Sequence, residues 1–171
     1  MNIHPLFVHF PIALLTIYSI VELLNGFSFW KKQQWILPIK QFLLFVGVGS
    51  AFVTLQTGEL AEHALNDKSL ESLVETHAFF ASASTYIFLA LALIYFFRFM
   101  STAVWFESRV PIFLKRIVTL YTKMFDHRVI ILFGAVLGLL SIVITGALGG
   151  AIVYGPTVDP IVNIVYRLFF N

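Results

Sequence analysis

From Gln41 to Gly58, and again from Val129 to Val158, the chain carries no charged residue at all. A run of roughly 20 apolar residues, at about 1.5 Å of rise per helical residue, matches the hydrocarbon thickness of a bilayer. Two further stretches of similar length are nearly as apolar. The sequence therefore predicts four membrane spans, roughly Leu6 to Leu24, Ile39 to Gly58, Ala78 to Phe97 and Val129 to Tyr154. Inside lipid every backbone N–H and C=O must find a partner within the protein, which leaves helices or a closed barrel, and no alternating barrel pattern is present. The expected fold is an all-α, four-helix transmembrane bundle forming one domain over residues 1–171. With 59% hydrophobic and only 12% charged residues, the composition exceeds what a soluble domain carries.

Charge then orients the bundle. Nine of the eleven Lys and Arg residues fall between spans one and two or at the edge where span two begins (Lys31, Lys32, Lys40), or between spans three and four (Arg98, Arg109, Lys115, Arg116, Lys123, Arg128). By the positive-inside rule both loops are cytoplasmic, so the N- and C-termini lie on the extracytoplasmic side. The loop between spans two and three is acidic, with Glu59, Glu62, Asp67, Glu71 and Glu75 against Lys68. Trp30 and Trp35 suit the inner aromatic belt. Within the second basic loop, residues 111–125 (PIFLKRIVTLYTKMF) place apolar residues at helical spacing opposite Lys115, Arg116 and Lys123, which predicts an amphipathic helix on the inner surface. Asp159-Pro160 reads as the cap and first turn of a short C-terminal helix. The N-terminus lacks a signal-peptide pattern, so the first span is expected to remain in the mature protein.

This orientation gathers four histidines on the outer side: His4 and His9 open span one, His63 follows span two, and His77 opens span three. His127 sits in the basic inner loop. An ionisable residue at a membrane span is costly and is a functional hypothesis by default; interfacial histidines also hydrogen-bond to headgroups or water. Pro5 suits a first helical turn, whereas Pro11 removes a bond to the Phe7 carbonyl, and a bend there aims His9 inward. On a continuous helix His4 and His9 stand about 140° apart and hardly share one ion.

Small residues form stripes on span two (Gly47, Ser50, Ala51, Thr54, Gly58) and span four (Gly134, Gly138, Ser141, Thr145, Gly149). Close helix packing explains their inner halves. At the histidine level, Gly58 and Gly146 make room for a flat ligand. TGELAEHA (57–64) also matches TGALGGAI (145–152), and His9 and His77 each precede a tyrosine, Tyr18 and Tyr86, by nine residues. The match hints at two helix pairs related by an axis along the membrane normal, with spans one and three diagonal across the core and His9 facing His77.

Cysteine is absent, which excludes disulfides, thiolate zinc sites and covalent haem attachment. Zinc usually takes three or four protein ligands, whereas haem iron needs only two axial ones. A facing His9–His77 pair beside glycines therefore fits a b-type haem. His4 and His63 would serve as ligands of a second haem, or of one metal ion together with Glu59 or Glu62. No phosphate loop, HExxH or Ser/His/Asp arrangement supports hydrolysis, and nothing points to nucleic acid.

HPLFVHFP (4–11) opening the first span, Thr57-Gly58 ending the second, His77 opening the third and GALGGAIVYG (146–155) ending the fourth together resemble the bacterial membrane family called domain of unknown function 2231. The resemblance covers essentially the whole chain. His4 and His9 match its opening motif and His77 its span-three histidine. Relatives occur joined to cytochrome c-type or Rieske iron–sulfur domains, which implies electron transfer in the bacterial cytoplasmic membrane, here with a separate partner protein. The sequence-based expectation is thus a b-type cytochrome with one or two haems, an electron carrier or quinol-linked oxidoreductase subunit, working between a membrane quinone pool and an extracytoplasmic cytochrome c or Rieske protein. A homodimer is compatible with it. The alternative is a histidine-based metal-binding or metal-transfer protein using His4, His9, His63 and His77.

Overall fold

The computed structural model describes residues 3–25, 35–63, 68–103, 106 and 109–170. Trp30, Lys31, Lys32 and Asp67, together with the side chains of His63 and Lys68, lie outside the described residues. The described chain is all helical: α1 (His4–Leu24), α2 (Ile36–His63), a 3-10 turn (Lys68–Leu70), α3 (Glu71–Thr102), α4 (Ile112–Phe125), α5 (Arg128–Tyr154) and α6 (Pro160–Phe170). Helices α1, α2, α3 and α5 are each long and apolar enough to cross a membrane, so the chain is a multi-pass membrane protein. Every expected span is present. The helices run past the expected limits, most of all at the start of α3, because hydropathy registers only the part of a helix that meets hydrocarbon.

The four spans form a ring in which α1 packs most extensively on α2, and α3 on α5, while α1 and α3 lie diagonally across the core. Close approach within each pair depends on missing side chains. A Cβ on Gly47 would stand 2.5 Å from Leu15, and one on Gly138 would stand 2.6 Å from the Phe88 ring. The stripes of small residues are thus packing faces, as van der Waals association of helices in lipid requires. The centre is filled by Leu15, Tyr18, Leu44, Phe88 and Ala135, none more than 1% exposed. Tyr18 meets Phe88 edge-on at 6.0 Å and Tyr95 at 6.4 Å.

Hydrogen bonds expose the repeat. Thr54 Oγ1 lies 3.3 Å from the Phe7 carbonyl between α1 and α2, its one proton shared with the Ser50 carbonyl at 2.9 Å, and Ser141 Oγ donates to the Phe80 carbonyl (2.9 Å) between α3 and α5. The step along the chain that takes Phe7 to Phe80 also takes His4 to His77, Leu15 to Phe88 and Glu22 to Tyr95. A second common step takes Gly47 to Gly134 and Thr54 to Ser141. The sequence match of His9 with His77 is therefore out of register; His9 falls on Ser82.

Helix α4 forms over nearly the expected residues. It buries Val118 and leaves Ile112, Phe113, Ile117, Leu120 and Met124 exposed on its apolar side. Tyr121 packs on Phe97 of α3 at 4.9 Å. The chain reverses after α5 at Gly155, whose φ of 90° favours a residue without a Cβ. Asp159 then caps α6, its Oδ1 accepting from the Ile161 and Val162 amides at 2.8 and 2.9 Å. Val162 and Val165 of α6 pack with Leu73, Ala147, Leu148 and Ala151, so this helix lies against the histidine end of α3 and α5.

Candidate functional site

The first turn of α1 and the second turn of α3 bring His4 and His77 to the same end of the bundle from diagonal helices. Each ring is fixed by the helix its own helix pairs with. His4 Nδ1 lies 3.2 Å from Thr57 Oγ1. That hydroxyl gives its single proton to the Thr54 carbonyl at 3.0 Å, so toward His4 it can only accept. The proton of His4 therefore sits on Nδ1. His77 Nδ1 lies 2.9 Å from the Thr145 carbonyl, which is also only an acceptor. Both imidazoles thus turn Nδ1 to the helix on which their own helix packs.

Glycines set the seats of the two rings. A Cβ on Gly58 would stand 3.2 Å from His4 Cε1, and one on Gly149 would stand 3.2 Å from His77 Cε1. Gly58 therefore leaves room for the imidazole of His4. The glycine beside the His77 ring is Gly149. Nothing stands within 4 Å of a Cβ built on Gly146, which lines an apolar groove with Ile12 and Thr16 of α1 and Pro160 to Val162 at the start of α6.

The remaining histidines are placed differently. His9 is exposed, so Pro11, though inside the helix and itself buried, does not turn it into the core. Helical geometry explains this: with His4 toward the bundle axis, a residue about 140° further round must face away. Glu59 and Glu62 are exposed. Among the described residues no group of three or more His, Asp and Glu side chains could hold a metal ion. The donor set at this end is a pair of imidazoles from helices related by the repeat. Two imidazoles are the number of protein ligands that haem iron takes, whereas a zinc ion usually takes three or four.

Sequence reasoning missed a second polar cluster at the opposite end. Glu22, near the end of α1, and Lys40, near the start of α2, pair at 3.0 Å, each side chain only 6% exposed. Lys40 also donates to Glu22 Oε1 at 3.1 Å, and the Tyr95 hydroxyl donates to Oε2 at 2.6 Å. Lys40 stands 5.4 Å from the centre of the Tyr95 ring. A lone acid inside the first apolar run was the available signal, and the residue facing it could be found only from the helix order.

No protein-family model matches the chain, and no curated protein or solved structure matches it either.

Proposed function

We propose that the chain is a membrane-embedded b-type cytochrome of electron transport, its haem iron held between His4 and His77. The observation that carries this is the matched pair of imidazoles, each with its Nδ1 held by the helix on which its own helix packs. When bound, the haem supplies one-electron transfer; the protein supplies ligands, orientation and a dry setting. Thr57 and the Thr145 carbonyl hold the rings in register and raise their basicity as ligands. Gly58 and Gly149 let the rings approach α2 and α5 closely. The core beneath, closed by Leu15 and Phe88, keeps water from the site on that side.

The distribution of Lys and Arg supports an orientation with this end on the extracytoplasmic face of a bacterial cytoplasmic membrane and both termini outside. The resemblance of HPLFVHFP to its family motif supports a role between a membrane quinol and an extracytoplasmic cytochrome c or Rieske protein. The test is a reduced-minus-oxidised absorption spectrum of the protein purified from haem-sufficient cells, with haem quantified per chain. A b-type spectrum that is lost in His4→Ala and His77→Ala and kept in His9→Ala is the expected result. A colourless protein, or spectra indifferent to both substitutions, would overturn the assignment. Stoichiometric zinc or copper in its place would favour the metal-binding alternative.

A further inference from the structure

The end of the bundle opposite the histidines holds a cavity of about 410 Å³, lined by Glu22, Asn25, Lys40, Tyr95, Arg98, Asp126, Arg128 and Ile131. All four spanning helices contribute to it. At about 30 Å³ per molecule it has room for on the order of ten waters. Its buried part is the Glu22–Lys40 pair with the Tyr95 hydroxyl. Nearer solvent, Arg98 pairs with Asp126 at 3.5 Å, and Arg128 donates to the Asn25 carbonyl at 3.1 Å. Three cations thus face two carboxylates. Among the described residues no carboxylate pairs with Arg128. Among the described residues one positive charge is left over, on a guanidinium whose planar fork suits oxyanions.

The level of the cavity matters as much as its charge. Helix α4, with its exposed apolar side, ends at Phe125, and the very next residue, Asp126, lines the cavity. An amphipathic helix of this kind lies at the boundary between acyl chains and headgroups. Arg128 and Asp126 therefore stand where lipid phosphates stand. A phosphodiester carries one negative charge, which matches the uncompensated one. Basic pockets between spans at this depth are recognised headgroup sites in membrane proteins.

We propose that this cavity binds one phosphate anion at Arg128, either the phosphodiester of a lipid headgroup or free inorganic phosphate. The site is separate from the histidine pair and does not depend on what those histidines ligate. The test uses the full chain in detergent, with native mass spectrometry to count retained phosphatidylglycerol and a titration with inorganic phosphate alone. One bound phosphate species per chain is expected, weakened about fivefold by Arg128→Gln, the loss of one interfacial cation. Lys115→Gln on α4, outside the cavity, leaves it unchanged. Helix content by circular dichroism checks that the variants fold. Retention of lipid that inorganic phosphate does not displace identifies the headgroup as the ligand; displacement or binding by phosphate alone identifies the free anion. Binding of neither, or equal weakening by Arg128→Gln and Lys115→Gln, would overturn the proposal.

Discussion

Replacing Lys40 with Met tests whether the Glu22–Lys40 pair is desolvated as its burial implies. Both side chains are 6% exposed, and Glu22 receives Lys40 on both oxygens and Tyr95 on one. Removing the ammonium leaves a largely buried carboxylate without its counter-charge, a loss of about 3–5 kcal/mol for buried pairs. The Tyr95 hydroxyl remains and offsets about 1 kcal/mol of that, which leaves a cost of about 2–4 kcal/mol. At about 1.4 kcal/mol per decade this lowers the folding equilibrium on the order of thirtyfold to a thousandfold. The double variant Glu22→Gln, Lys40→Met removes both charges and keeps an acceptor for Tyr95, so most of the loss should be recovered. Unfolding in a titration from mild detergent to dodecyl sulfate, followed by near-ultraviolet circular dichroism, measures all four corners of the cycle. Polar contacts between membrane helices average only about 0.6 kcal/mol, because the unfolded chain finds other partners. A Lys40→Met cost no larger than that, or a double variant as unstable as the single one, would refute the reasoning.

Thr57→Val removes the acceptor that fixes the His4 tautomer, and losing such a support should weaken haem retention about tenfold to a hundredfold without unfolding the bundle; haem titration of the apoprotein measures it. Gly138→Ala forces a Cβ to within 2.6 Å of Phe88 and should cost about 1–3 kcal/mol in the same detergent titration. Gly49→Ala, with nothing within 4 Å, should be neutral or stabilising by up to about 1 kcal/mol. Asp159→Ala removes the cap of α6 at a cost of about 1 kcal/mol, seen as faster amide exchange at Ile161 and Val162.

What could be read in the sequence was whatever repeats on the scale of a bilayer. Gln41–Gly58 and Val129–Val158 announce helices because length and apolarity suffice, and α4 and the Asp159 cap follow from equally local patterns. The pairing of histidines was not legible, because the repeat is carried by Thr54 and Ser141 reaching the carbonyls of Phe7 and Phe80. A carbonyl leaves no mark in the sequence of side chains. The tyrosines used instead, Tyr18 and Tyr86, occupy unlike places: one is fully buried and the other 60% exposed. Lys40 looked like a loop residue because it precedes the charge-free run, yet α2 begins before it, at Ile36. Its partner Glu22 acquires meaning only once α1 and α2 lie side by side with Tyr95 coming from the diagonal helix.

That ion pair bears on how the chain enters the membrane during synthesis. Glu22 and Lys40 belong to consecutive spans joined by a short connection, so acid and base can meet as soon as the first hairpin has emerged. They can cross into lipid as a neutral unit, while Tyr95 is still to be made. The cross-helix bond from Thr54 to Phe7 is likewise complete within that hairpin. The first half of the protein can therefore wait in the bilayer with its charges already matched, as a template on which the second half assembles.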